Sequence, residues 1–410
     1  MPKAIPYGKQ SITEADIQSV VDVLRSDFLT QGPMVPRFET AVANYCQAQF
    51  AVAVNSATSA LHIACLALDL GPGDWLWTSP ITFVASANCG RYCGAQVDFV
   101  DIDSKTYNMC PSKLEIKLQA AKKEGKLPKV VVPVHFAGQS CDMVAIQNLS
   151  MQYGFKIIED ASHAIGAQYL NQTVGNCRYS DITVFSFHPV KIITTAEGGM
   201  AVTNDAQLSN RMKKLRSHGI TSDIFEMATC PVDEIWNYKQ KDLGYNYRMT
   251  EMQAALGISQ MNRLDSFIEK RRLLASIYDE KLKELGLIIP FQSNDGASAY
   301  HLYPILINIQ EANVQQKELY KWMHEKNIQV NLHYIPVYLQ PYYQKTGFIK
   351  GYCPIAETYF KNCMSIPLFS SMTTNEQNSV CEALKDGIQM LSKNKNLNLT
   401  KNGEKYAGVK

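Results

Sequence analysis

Short apolar runs recur along the first half of the chain, at residues 51–54, 75–79, 96–101, 129–135, 153–160, 182–185 and 200–204. Between most of them lie longer stretches with apolar residues at helical spacing. Strands separated by helices predict a mainly parallel α/β sheet, with ligands at the carboxyl ends of its strands. Ahead of the sheet, Thr13 suits a helix cap, with Ile17, Val20, Val21 and Leu24 on one face. That helix ends before the breakers Gly32 and Pro33, and a second helix is predicted over 37–46. Thr250 caps a further helix running to Leu264, and a long charged helix from about Phe267 bridges to a smaller domain with strands at 302–307 and 328–334. The expected division is a large domain over 1–265, with an N-terminal arm over 1–12, and a small domain over 266–393. A polar tail over 394–410 is expected to be disordered, and residues 221–240 are expected to be a mobile or dimer-contacting loop.

Composition narrows the class. Hydrophobic residues make up 46% of the 410 positions and charged residues 19%, which gives enough apolar material for a large core. A formal net charge of +2, with no concentrated basic face, argues against nucleic acid as a partner. No apolar run approaches the roughly 20 residues needed to cross a bilayer, so no membrane partner is expected. The 11 cysteines form no CxxC pair and no metal-ligand spacing. A reducing compartment, no metal and no secretory leader are expected, which together read as cytoplasmic.

Candidate chemistry gathers at strand ends. The stretch from Ser186 to Gly199 follows an apolar strand and sets Lys191 among small and hydroxylated residues, closing on a Gly pair suited to a tight turn. A partly desolvated lysine there has a lowered pKa and can act as a Schiff-base nucleophile; a strand end followed by a surface lysine and a Gly turn is the alternative that the stretch alone favours. Ser56, Ala57 and Thr58 stand where a strand turns into a helix; capping accounts for the hydroxyls, and a phosphate on the free N–H groups is the functional alternative. Asp160 ends its strand, with His163 three residues on. A metal site, an acid–base pair, an anchor for a heterocyclic nitrogen and a simple cap are all open to that pair. With Lys191, the heterocycle anchor is favoured, because pyridoxal phosphate needs an acidic partner for its ring nitrogen. Phe83, just past a strand end, could lie over a planar ligand or simply pack in the core.

In this order the motifs resemble those of the DegT/DnrJ/EryC1/StrS sugar-nucleotide aminotransferases. They are Asn55-Ser56-Ala57-Thr58-Ser59-Ala60-Leu61, Glu159-Asp160-Ala161-Ser162-His163-Ala164, Ser186-Phe187-His188-Pro189-Val190-Lys191, Glu197-Gly198-Gly199 and Gly244-Tyr245-Asn246-Tyr247-Arg248. The resemblance covers nearly the whole chain before the tail. It implies a fold type I architecture: a large domain around a mainly parallel, seven-stranded-type sheet, plus a smaller C-terminal α/β domain. It also implies pyridoxal 5'-phosphate as cofactor and Lys191 as the catalytic Schiff-base lysine. Asp160 would meet the pyridinium nitrogen and His163 the phenolic oxygen. Ala57, Thr58 and Ser186 would hold the phosphate, with Asn246 reaching it from the partner subunit of a homodimer, and Phe83 would cover the ring. Tyr7, the segment Asp27-Phe28-Leu29-Thr30, Arg248 and the pair His333-Tyr334 would contact the sugar nucleotide. Within the family the likeness is greatest to the pseudaminic-acid branch, on Leu29-Thr30-Gln31-Gly32, Ile193-Thr194-Thr195-Ala196-Glu197-Gly198-Gly199, Arg216-Ser217-His218-Gly219, His301-Leu302-Tyr303-Pro304-Ile305 and His333-Tyr334-Ile335-Pro336. That implies a UDP-linked 4-keto-6-deoxy-N-acetylhexosamine as acceptor and L-glutamate as amino donor, in a ping-pong reaction. The alternatives are another 3- or 4-aminotransferase of the family, a dehydrating relative (which Lys191 argues against) and a non-catalytic cofactor-binding regulator.

Overall fold

The computed structural model describes residues 4–223, 227, 237–307 and 315–406. Seven strands form the central sheet: β1 (Phe50–Val54), β2 (Trp75–Thr78), β3 (Gln96–Phe99), β4 (Val130–Val132), β5 (Lys156–Asp160), β6 (Ile182–Ser186) and β7 (Gly199–Thr203). Their order is β1-β7-β6-β5-β4-β2-β3. Pairing is parallel from β3 through β6, while β7 runs antiparallel to both β6 and β1. This is the α/β, fold type I architecture.

Alternation along each strand divides the core. Val52, Val54, Leu76, Val130, Ile158, Ile182 and Val184 enter one cluster, with Ala60, Leu61, Ile63 and Ala64 of helix α3 (Ala57–Ala67). Ala51, Ala53, Phe185, Met200 and Val202 turn to the opposite face, as do Trp77, Val131 and Ile157 at the other end of the sheet. A period of two with both faces buried explains why these strands read as near-continuous apolar runs.

The predicted helices form with small shifts. Glu14–Leu24 begins at a capping box between Thr13 and Asp16. The second helix starts earlier than expected, at Met34, because Glu251 accepts from the N–H groups of Met34 (2.6 Å) and Val35 (3.3 Å). Thr250 caps Glu251–Met261, and the long helix Leu264–Leu282 crosses position 266. Beyond it, Leu287–Ile288, Tyr303–Ile307 and Cys363–Ile366 make a three-stranded antiparallel sheet. The strand expected over 328–334 is not one: that stretch makes only single bridges, Ile328 to Ile5 and Asn331 to Ser365, so no continuous ladder forms. Helix Thr374–Tyr406 continues through 394–406, where disorder was expected; no proline interrupts it. Most of the 221–240 loop lies outside the described residues.

The N-terminal arm is laced into the far half of the chain. Ile5 N donates to Asn327 O (2.9 Å), Gln329 N to Ile5 O (2.8 Å) and Leu368 N to Tyr7 O (3.1 Å).

Candidate active site

Asp160 is the last residue of β5 and is buried. Its Oδ2 accepts from Ser86 Oγ (2.6 Å), and its Oδ1 from Ser162 N (3.1 Å) and Ser162 Oγ (2.6 Å). Three short donors fix the carboxyl rotamer. Ser86 lies on helix α4 (Ala85–Tyr92) and also bonds Thr82 Oγ1 at 2.7 Å. Its N–H donates to Phe83 O at 3.3 Å, so the aromatic is tied to the same turn. Phe83 is 60% exposed, which sets aside the core-packing alternative.

Lys191 follows β6 in a loop secured to itself. Lys191 N donates to His188 O (2.8 Å), Thr195 N to Phe187 O (3.0 Å) and Phe187 N to Gly198 O (2.9 Å). The left-handed backbone expected at the glycine pair falls instead on Ala196, at φ 64°. The glycines supply space. A Cβ on Gly199 would lie 2.5 Å from Ala57 N and from Ser56 C, and one on Gly198 would collide with Thr195 Oγ1. Burial pulls the Lys191 ammonium down to about 8, against the opposing pull of Asp160. That value makes the neutral amine accessible near physiological pH.

Around the lysine stand three buried histidines. The rings of His163 and His301 lie 4.4 Å apart. His163 receives Ala137 N at Nδ1 (3.3 Å) and meets Tyr334 Oη at Nε2 (3.2 Å). His333 bonds Ser365 Oγ through Nδ1 (2.9 Å), and Tyr7 packs on it at 5.5 Å. Burial, then the positive charge of Lys191, lowers His333 to about 3; the same two causes hold His163 well below its usual range. A close approach builds this cluster. Gly138, at φ 104°, passes so near Tyr300 N and His301 N that a Cβ would lie 2.8 and 3.1 Å away.

The phosphate-suited turn is also in place. Ser56 caps α3 by accepting Ser59 N (3.1 Å), leaving the Ala57 and Thr58 N–H groups without intrahelical acceptors. Ser186 pairs with Gly199 across β6 and β7, and Gly199 lies against the start of the helix. A helix N-terminus, a buried hydroxyl and a glycine-made hollow fit a phosphate dianion. Asp160 and Lys191, in electrostatic contact, fit a pyridine nitrogen and an aldehyde carbon. The residues therefore suit pyridoxal phosphate.

Tyr7, His333 and Tyr334 are thus joined to the Lys191–Asp160 centre. The segment from Asp27 to Thr30 is exposed and meets the protein through Leu29 O, which accepts Glu251 N at 3.0 Å; among the described residues no hydrogen bond joins it to Lys191. Arg248 is half-buried. Asn246 is exposed, its carbonyl 3.5 Å from Asn55 Nδ2, beside the phosphate turn. Sequence reasoning missed Ser86, Ser162, His301 and the spatial role of Gly199. Ser162, His301 and Gly199 lay within motifs that carry the resemblance; Ser86 did not.

Among the described residues no helix is long and apolar enough to cross a membrane. The sequence profile of the DegT/DnrJ/EryC1/StrS aminotransferase family matches residues 10–385. A spore coat polysaccharide biosynthesis protein of Bacillus subtilis, SpsC, is 38% identical over 94% of this chain and 97% of its own. The UDP-4-amino-4,6-dideoxy-N-acetyl-beta-L-altrosamine transaminase of Campylobacter jejuni is 37% identical over 95% and 99%. The structure of Helicobacter pylori PseC, an aminotransferase involved in the biosynthesis of pseudoaminic acid, superposes with a TM-score of 0.86 at 30% identity, over 95% of this chain and all of that one. With the Lys191–Asp160 centre and the phosphate-suited turn already in view, the chain belongs to the DegT/DnrJ/EryC1/StrS family and is a pyridoxal-phosphate-dependent sugar aminotransferase.

Proposed function

We propose that this enzyme moves an amino group from L-glutamate to C4 of a UDP-linked 4-keto-6-deoxy-N-acetylhexosamine. The product is UDP-4-amino-4,6-dideoxy-N-acetyl-β-L-altrosamine, on the way to pseudaminic acid. The observation that carries this reading is the likeness, over almost the entire length of both chains, to the Campylobacter transaminase of that name. Bacillus SpsC, at 38% identity, favours a second reading, a different nucleotide sugar destined for a polysaccharide.

Bound pyridoxal phosphate supplies the electron sink and carries the amino group between the two substrates. The chain's own residues do the rest. Asp160, held by Ser86 and Ser162, keeps a proton at the ring nitrogen. Ala57, Thr58 and Ser186 hold the phosphate, and Asn246 of a second copy completes that site in a homodimer. Lys191, with its amine near neutrality at about 8, is the covalent anchor and then the base that moves a proton. Phe83 covers the ring face, and His163 lies by the phenolic oxygen. Tyr7, Asp27-Phe28-Leu29-Thr30, Arg248, His333 and Tyr334 line the sugar-nucleotide pocket.

The test offers purified enzyme and L-glutamate the two epimeric UDP-linked 4-keto sugars and follows product by NMR. Amination of the β-L-arabino-hexos-4-ulose alone supports the reading. Exclusive turnover of the other epimer or of another nucleotide sugar sinks it.

A further inference from the structure

The hydrogen bonds of His163 fix more than its place. Ala137 N–H can only donate, so Nδ1 must offer its lone pair. Burial, Lys191 and His333 keep the ring neutral, and a neutral imidazole carries one ring proton. That proton is therefore on Nε2 and is donated to Tyr334 Oη at 3.2 Å. The Tyr334 hydroxyl, having accepted it, still holds its own proton, and no acceptor among the described residues takes it. The ring stands within the reacting cluster: it lies edge-on to His333 at 4.8 Å, and Asp160 acts on it electrostatically.

We propose that Tyr334 is the proton donor to the keto oxygen of the sugar, and that His163 is the positioning residue that turns the hydroxyl outward. This rests on the keto-sugar reading above. Amination replaces a C=O by a C=N and must expel the oxygen as water. The C–N bond forms as the carbonyl π pair moves onto oxygen, which takes the Tyr334 proton. The incoming nitrogen then gives up two protons as the C–O bond breaks. One leaves with the hydroxyl as water and the other restores Tyr334, so atoms and charge balance without a further reactant. Burial pushes the Tyr334 phenol above its ordinary value, so the hydroxyl carries its proton throughout the working pH range when the sugar arrives.

The first measurement uses apoprotein labelled with 15N in histidine. His163 is expected as the neutral Nε2–H tautomer from pH about 8 to about 6, spanning the free-histidine value. The Y334F apoprotein should give the same tautomer with a displaced Nε2–H signal, which also shows that it folds. The second measurement is single-turnover amination of the keto sugar. Y334F is expected to lose about 10²-fold in rate or more, with the Kd of the sugar nucleotide for the apoprotein within about threefold of wild type. An Nδ1–H tautomer, an imidazolium at neutral pH, or a wild-type rate in Y334F overturns the proposal. A wild-type enzyme that aminates only another keto sugar overturns the substrate reading instead; the same hundredfold loss is then required of Y334F on that sugar.

Discussion

Glu159 and Asp160 are consecutive on β5, and their carboxyls meet opposite faces of the sheet. Glu159 is sealed: His135 Nε2 lies at 2.6 Å, Ser180 Oγ at 2.5 Å and Thr183 Oγ1 at 3.1 Å. Cys141 N donates to the other nitrogen of His135 at 3.1 Å, which directs the Nε2 proton at Glu159. Asp160 is held as firmly, by two serines, yet keeps electrostatic contact with Lys191 and Tyr334. The difference is one of supply. Where the protein provides every partner, the carboxyl is a structural bolt; where it fixes the rotamer and leaves a flank to the cavity, the carboxyl can serve a ligand.

The contrast can be broken by exchanging the two losses. Asp160→Asn keeps the shape and removes the charge, and turnover should fall by about 10³-fold while the melting temperature stays near wild type. Steady-state kinetics beside a thermal melt checks this; near-normal turnover would erase the distinction. Glu159→Gln should do the reverse. It costs about 2 kcal/mol in denaturant unfolding, since the buried His135 keeps only a neutral acceptor, and leaves turnover of the folded enzyme within about tenfold.

Lys191 sharpens the comparison from the cavity side. Its folded-state value of about 8 lies below the ordinary lysine value of 10.5, so the folded apoprotein disfavours the charged form. The resulting destabilisation is fully present below pH about 8 and fades as pH rises through 10.5. Lys191→Met apoprotein should therefore be more stable than wild type at neutral pH by roughly 2 kcal/mol, after allowing for partial exposure. The advantage should vanish at high pH, as urea titrations at both ends of the range would show. Ser86→Ala is the mildest probe, costing about 1 kcal/mol with a small loss of turnover. An effect as large as that of Asp160→Asn would mean that orientation, rather than charge, governs the site.

Much of this was legible before the fold was known, for a physical reason. Strands buried on both faces leave unbroken apolar runs, and the residue at the carboxyl end of such a run is marked by position, as Asp160 is; Lys191, in the loop beyond its strand, was told from a surface lysine only by the other motifs and their order. Pairing between distant segments leaves no such mark. Cys363–Ile366 was not anticipated because its partner, Tyr303–Ile307, lies far back in the chain. The 328–334 stretch looks like a strand but finds only isolated bridges. The place of His301 beside His163 could not be read, because only the turn at Gly138 brings the two together. The glycines at 198–199 were read for freedom of φ, whereas the chain uses their lack of a side chain. Close approach cannot be read from a local pattern.

The lacing of the N-terminal arm bears on how this enzyme could be handled. Ile5 is strapped to Asn327 and Gln329, and Tyr7 hangs from Leu368 while its ring rests on His333. A tether to a support or a fused reporter placed just upstream of Ile5 would pull on a strap only two residues from Tyr7, a side chain proposed for the site. One attached beyond the helix Thr374–Tyr406 would pull on an element that holds none of the proposed site residues. Immobilised preparations anchored at the two ends should thus differ in catalytic quality at equal loading.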